Sequence, residues 1–147
     1  MTNKIFTRKD LLSIQKNTSE FLMMDEVELL KENKVKGKKF FGEDFWIFKH
    51  HWPGDPNVPA VFQTEAMTQI SSILILGSPE NNNKSLLVVN SNNLKFKKKI
   101  LPNDTLIVFS ELLSFKRSLA KFSAKGFVND EYCCSGDFLM VLQEDLI

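Results

Sequence analysis

Pro59-Ala60-Val61-Phe62-Gln63-Thr64-Glu65-Ala66-Met67-Thr68-Gln69-Ile70-Ser71-Ser72-Ile73-Leu74-Ile75-Leu76-Gly77 is the stretch that decides the fold. The proline suits a helical first turn and Gly77-Ser78-Pro79 stops it, which predicts a helix over Ala60–Leu76, about 25 Å long at 1.5 Å per residue. It is apolar on more than one face, and Glu65 is the only charged residue between Asp55 and Glu80. A helix apolar nearly all round is enclosed by the rest of its chain.

Working outward, Asn81-Asn82-Asn83-Lys84 reads as an exposed loop. Leu86–Lys99, Asp104–Phe115 and Leu119–Leu142 are rich in Val, Ile, Phe, Leu and Thr, with turn signals at Pro102-Asn103 and Asn129-Asp130, so the last segment folds back as a hairpin. Upstream, His50–Pro59 carries three prolines and a glycine in ten residues and is a fixed loop. Phe21–Val27 and Lys34–Phe41 are β-prone, with Asn33 as a turn candidate, and are expected to be the first strands. Thr7-Arg8-Lys9-Asp10 starts a short helix, the Thr hydroxyl placed to accept from the amide three residues on. The expected fold class is α+β, an antiparallel sheet wrapped around one long central helix.

At 147 residues the chain makes a single domain, 1–147, with 43% apolar residues and 13 Phe to fill a core. Wholesale disorder is excluded. A net charge of +1 lacks the basic excess of a dedicated nucleic-acid binder, so no nucleic-acid partner is expected. Met1–Phe6 has no apolar signal-peptide core and no run approaches membrane length, which predicts a cytoplasmic protein with no membrane association. Cys133 and Cys134 would alternate faces on a strand and are read as reduced packing residues without a metal.

A lone carboxylate on an apolar helix needs a reason, because an ionised group out of water costs several kcal/mol unless paired or neutralised. Glu65 either reaches solvent or a helix end, or serves as a general acid whose protonated form is favoured by its surroundings. His51 is its natural partner: a proline-rigid loop presents the imidazole in one orientation, and imidazole exchanges protons near neutral pH. His50, facing away on an extended segment, reads as structural.

The run His51-Trp52-Pro53-Gly54-Asp55-Pro56-Asn57-Val58-Pro59-Ala60, with Glu65 fourteen positions after His51, resembles the β-hydroxyacyl-acyl carrier protein dehydratases of the FabZ and FabA type, whose motif is H-F-P-G-x-P-x-x-P-G-V. Phe21-Leu22-Met23-Met24-Asp25-Glu26-Val27 is similar to their P-F-L-L-V-D-R-V strand. Leu94-Lys95-Phe96-Lys97-Lys98-Lys99-Ile100-Leu101-Pro102-Asn103-Asp104 is similar to their A-R-F-R-R-P-V-x-P-G-D segment. The resemblance covers roughly residues 20 to 142 and implies the hot-dog fold.

It also implies chemistry, residue by residue. His51 would remove the C2 proton of a (3R)-3-hydroxyacyl thioester and Glu65 would protonate the departing 3-hydroxyl. Gln69, one turn on, would orient the acid. Ala60 stands where the family has a glycine whose N–H polarises the thioester carbonyl, and Gly54 and Asn57 complete the expected substrate-binding positions. Lys95, Lys97, Lys98 and Lys99 would dock an acidic acyl carrier protein. Most of Phe45, Phe48, Phe62, Phe96, Phe109, Phe122 and Phe138 are expected in the core, a minority along an acyl tunnel. No cofactor or metal is implied, and the assembly would be a homodimer or a trimer of dimers. The chain departs from the pattern at Ala60, at His50 in place of a glycine, and at Lys16–Glu20, which lacks the P-H-R-Y-P lead-in. The alternatives are a hot-dog acyl thioesterase and a non-catalytic acyl-carrier-binding subunit.

Overall fold

Thr7 opens α1 (Arg8–Ile14) in the computed structural model, which describes residues 3–144. Met1 and Thr2, at the head of the N-terminal stretch read above, lie outside the described residues. The Thr7 hydroxyl accepts from the Asp10 amide, and the Asp10 carboxylate accepts from the Thr7 amide at 2.8 Å. That amide, with the Thr7 hydroxyl, holds the Asp10 carboxyl below its ordinary value.

The second helix, α2, spans Ala60–Leu76 with Pro59 before it and Gly77 after it, matching the bounds its punctuation predicts. Most of its residues are buried. Its end is closed by a residue expected in an exposed loop: Asn81 is buried, and its Nδ2 donates to the Ile75 carbonyl at 2.9 Å. A helix C-terminus leaves carbonyls without partners, and the side-chain amide supplies one.

Around α2 runs a seven-stranded sheet in the order β1-β2-β3-β5-β6-β7-β4. Its strands are β1 (Ile5–Phe6), β2 (Glu26–Lys31), β3 (Lys34–Phe41), β4 (Lys84–Phe96), β5 (Asp104–Lys116), β6 (Leu119–Val128) and β7 (Glu131–Glu144). Every pairing is antiparallel. Two-residue turns with positive φ join the last three strands, Arg117 and Ser118 at 53° and 64° and Asn129 and Asp130 at 50° and 62°. Both central residues at positive φ match the twist of the flanking strands.

Alternation decides which face the helix covers. On β3, Val35 and Gly37 are buried while Lys34, Lys36 and Lys38 are exposed. A Cβ at Gly37 would stand 2.6 Å from Ile70 Cγ1, so α2 rests directly on the backbone of β3. Ser71 and Ser110 join their hydroxyls at 2.7 Å between helix and β5. The core between the layers includes Phe41, Met67, Ile70, Phe122 and Phe138.

Four expectations need correction. The strand placed at Phe21–Val27 begins only at Glu26; Ser19–Phe21 is a 3-10 turn and Leu22–Met24 are buried without strand pairing. Phe48, Phe62, Phe122 and Phe138 are core and Phe96 lines a hollow, as expected of most and of a minority of the set, but Phe109 is 41% exposed on the sheet, outside both the core and that hollow. Cys133 does not face away from Cys134: Gly126 opposes Cys134 and Phe127 opposes Tyr132, so Cys133 is the extra residue of a bulge and both free thiols are buried. The hydrogen bond with Cys133, and then burial, push the Cys134 thiol up. Finally, Glu65 is half-buried rather than enclosed.

The strand β4 is an edge. It pairs with β7 on one side, and Leu87, Val88 and Val89 are 46%, 46% and 54% exposed. Long apolar edges are templates for pairing with another chain.

Candidate active site

The proline loop follows a 3-10 turn at Trp46–Lys49. Asp55 donates its amide to the Trp52 carbonyl at 2.8 Å, and Gly54 has φ of 90°. This is a turn with proline second and a left-handed residue third, which requires glycine at that place. Trp52 itself has φ of 57°, a conformation costing a bulky L-residue about 1–2 kcal/mol. The turn therefore delivers His51 and Trp52 in one fixed arrangement, their rings stacked at 4.9 Å and 21°.

His51 Nδ1 lies 2.8 Å from the Asn57 carbonyl oxygen. A carbonyl only accepts, so Nδ1 carries the hydrogen, and in the neutral ring Nε2 holds the free lone pair. Asn57 is buried and ties its own side chain to the Asp55 carbonyl at 2.8 Å. An imidazole so held presents Nε2 as its basic nitrogen.

Glu65 stands on α2 with Gln69 one turn further on. Gln69 Oε1 accepts from the Met23 amide at 2.7 Å, and its Nε2 donates to Phe21 O at 3.0 Å and to Glu65 Oε1 at 2.8 Å. The first bond fixes the amide's orientation, so both of its hydrogens are committed and Oε1 of Glu65 must be the accepting oxygen. A proton on Glu65 then resides on Oε2, which is free to deliver it.

The two groups do not share a cavity within one chain. His51, Asn57, Ala60, Gln63 and Lys97–Lys99 line a hollow of about 440 Å³ at the N-terminus of α2. Glu65, Gln69, Thr68 and Ser72 line another of about 280 Å³, walled by β4 through Leu86 and Val88. No residue lines both. Ala60 opens α2 after Pro59, which gives no side-chain cap, and lines the His51 hollow, while the Phe62 and Gln63 amides donate to the Pro59 carbonyl. Gly54 shapes the turn and does not line that hollow.

The lysine cluster is divided. Lys97, Lys98 and Lys99 border the His51 hollow, while Lys95 borders a shallow depression beside Phe109 and Lys125, on the face of the sheet away from α2. Lys98 pairs with Glu131 at 3.1 Å and Lys99 with Asp55 at 2.7 Å. His50 is exposed and ends the 3-10 turn. Among the described residues no group of three or more His, Cys, Asp or Glu could hold a metal ion. Nor is any helix among them long and apolar enough to cross a membrane. Sequence reading did not find Trp52 as the stacking partner, though its place beside a Pro-Gly pair carried the turn signal. It also missed the Phe21 and Met23 backbone groups that seat Gln69.

Residues 16–137 match the family model of the FabA-like domain. The 3-hydroxyacyl-[acyl-carrier-protein] dehydratase FabZ of Caldicellulosiruptor saccharolyticus is 31% identical over 134 residues, 90% of this chain and 96% of that one. The Staphylococcus epidermidis protein of the same name is 30% identical over 141 residues, covering 95% and 97%. Among solved structures, the dehydratase heterocomplex ApeI:P of Xenorhabdus doucetiae superposes with a TM-score of 0.76 at 11% identity, over 92% of this chain and 91% of that one. The fold is the hot-dog fold, and with its helix, its His51 loop and its Glu65–Gln69 pair in place the chain belongs to the FabA-like domain family.

Proposed function

We propose that this protein is a (3R)-3-hydroxyacyl-[acyl-carrier-protein] dehydratase, a hydro-lyase that forms trans-2-enoyl thioesters for fatty acid or related acyl-chain synthesis in the cytoplasm. The reading is carried by the two oriented groups: an imidazole held through Nδ1 by Asn57 and a carboxyl held through Oε1 by Gln69. His51 Nε2 takes the C2 proton, the C–H electrons form the C2=C3 bond, and Glu65 Oε2 gives its proton to the 3-hydroxyl, which departs as water. The thioester oxygen gathers charge in this step and accepts from the Ala60 N–H at the start of α2. Gln69 keeps the acid aimed. The proton on His51 returns to Glu65 through solvent or product water before the next cycle.

The separation of the two hollows supports a site shared between copies, His51 from one protomer and Glu65 from its partner, in a homodimer closed along β4 that can assemble further as a trimer of dimers. Lys97 and Lys98, at the rim of the His51 hollow, receive the acidic carrier protein; Lys95 borders a separate depression and Lys99 is tied to Asp55 and Trp52, so neither is kept in the docking patch.

The test is incubation with 3-hydroxybutyryl and longer 3-hydroxyacyl carrier thioesters, with product identification. Enoyl thioester is the expected product. Release of free thiol instead establishes a thioesterase, and tight carrier binding without turnover at any chain length establishes a non-catalytic subunit.

A further inference from the structure

We propose that Trp52 is a positioning residue for His51 and that Lys99, anchored on Asp55, locks it. One hydrogen bond to the Asn57 carbonyl leaves the imidazole free to turn about that bond, so Nε2 is aimed only if a second contact sets the ring plane. The indole of Trp52 is that contact, stacked on the imidazole at 4.9 Å and 21°. The indole needs holding in turn, because Trp52 is 54% exposed and sits in a left-handed conformation that side chains of its size rarely adopt. Lys99 Nζ stands over the indole at 5.3 Å and is fixed 2.7 Å from Asp55 Oδ2, three residues along the same turn.

The chain's own sequence sets this device apart. Trp52 occupies the Phe position of H-F-P-G, and Lys99 the Pro position of A-R-F-R-R-P-V. Two departures from separate motifs, 47 positions apart in number, meet in space at one ring. The Lys99 ammonium is engaged on both sides, by the indole and by the Asp55 carboxylate.

The inference rests on the dehydratase reading for its kinetic effects but not for its geometry, so two readouts are used on the full chain. With a carrier-free 3-hydroxybutyryl pantetheine thioester, Lys99→Met should lower kcat about three- to fivefold with KM unchanged, the size of a lost cation–ring contact. Trp52→Leu should lower kcat about tenfold or more, as loss of aim costs more than loss of one contact, and Trp52→Phe should recover most of it. Adding Lys99→Met to Trp52→Leu should lower kcat no further, since the lysine acts through the ring. A loss confined to KM for carrier-borne substrate, or full additivity of the two changes, overturns the proposal.

The second readout needs no turnover. The His51 ring protons, shifted upfield by the indole beneath them, should move toward free-imidazole positions in Trp52→Leu and part of the way in Lys99→Met. Unchanged His51 shifts in Lys99→Met overturn the lock even in an active enzyme. Shifts that move as expected in a wild-type protein without dehydratase activity sustain the lock and overturn the dehydratase reading instead. If Trp52→Leu fails to fold, as melting would reveal, Lys99→Met and Trp52→Phe carry both arms.

Discussion

Gln69 Nε2 donates to Glu65 Oε1 at 2.8 Å, and Gln69 can do so in only one orientation because its own oxygen is taken by the Met23 amide. Gln69 is 4% exposed, so this carboxamide joins the N-terminal segment, α2 and the acid into one hydrogen-bonded unit. Replacing Gln69 with Met should cost about 1–3 kcal/mol of stability by stranding the Met23 amide and Phe21 carbonyl. It should also lower kcat more than it raises KM. Denaturant melts and kinetics on the same sample test both, and wild-type kcat in a correctly folded variant would remove Gln69 from the mechanism.

His51→Ala and Glu65→Gln should each lower turnover about a hundredfold or more, what positioned acid–base groups supply, while thermal midpoints hold. Because each residue sits in its own hollow, the two inactive chains should rescue one another. Unfolded and refolded together at equal amounts, they form half mixed dimers at random, and each mixed dimer regains one whole site, so about a quarter of all sites recover. Activity that stays at the sum of the parents, with mixed dimers demonstrated, would place both groups in one chain.

Reversing Lys97 and Lys98 to Glu should raise KM for carrier-linked substrate far more than for a pantetheine thioester, and added salt should imitate the change. Equal losses on both substrates would point to a damaged site. No change on either would mark these lysines as an ordinary solvated strand end.

Lys39 supplies a test of pH dependence. Its side chain is 12% exposed, 5.7 Å and 5.9 Å from the Phe41 and Phe45 ring centres and 3.6 Å from Asp25 Oδ1. Burial lowers its basicity from the ordinary value of 10.5, outweighing Asp25. Between the lowered folded value and the ordinary one the unfolded chain holds more protons, so stability contributed here rises with pH across that alkaline window and is least below it. Lys39→Met removes this dependence, while Asp25 keeps Arg8 at 3.0 Å and the Phe40 amide at 2.6 Å. Denaturant melts from neutral to strongly alkaline pH should show any advantage of the variant shrinking as pH rises. An advantage that grows would mean the ion pair outweighs burial.

The elements marked by punctuation were legible in the sequence. Pro59 and Gly77 bracket α2, Asn129-Asp130 turns β6 into β7, and Thr7 with Asp10 caps α1. The fourteen-residue interval from His51 to Glu65 singled out the pair proposed as base and acid, but not that one chain sets them in separate hollows. What stayed hidden depends on partners distant in the chain. Phe21-Leu22-Met23-Met24 is an unbroken apolar run that reads equally as strand or as packed loop, and the deciding contact is Gln69, 46 residues from Met23. Lys95 and Lys97 look like one cluster, yet pairing with β7 ends at Phe96, and the two lysines border different hollows. The stack on His51 requires a tryptophan at positive φ, a backbone state that no residue preference points to.

Among the described residues β4 ends the sheet, and on the proposed dimer that outer edge makes stability a matter of mass action. In the proposed dimer a second copy covers the thirteen-residue strand with its exposed Leu87, Val88 and Val89, so the folded state would gain from every increase in the number of copies present. Once pairing is saturated, each tenfold rise in concentration adds about 1.4 kcal/mol to the folded side. On that reading a newly made chain in dilute solution stands at its weakest, before it has met a partner.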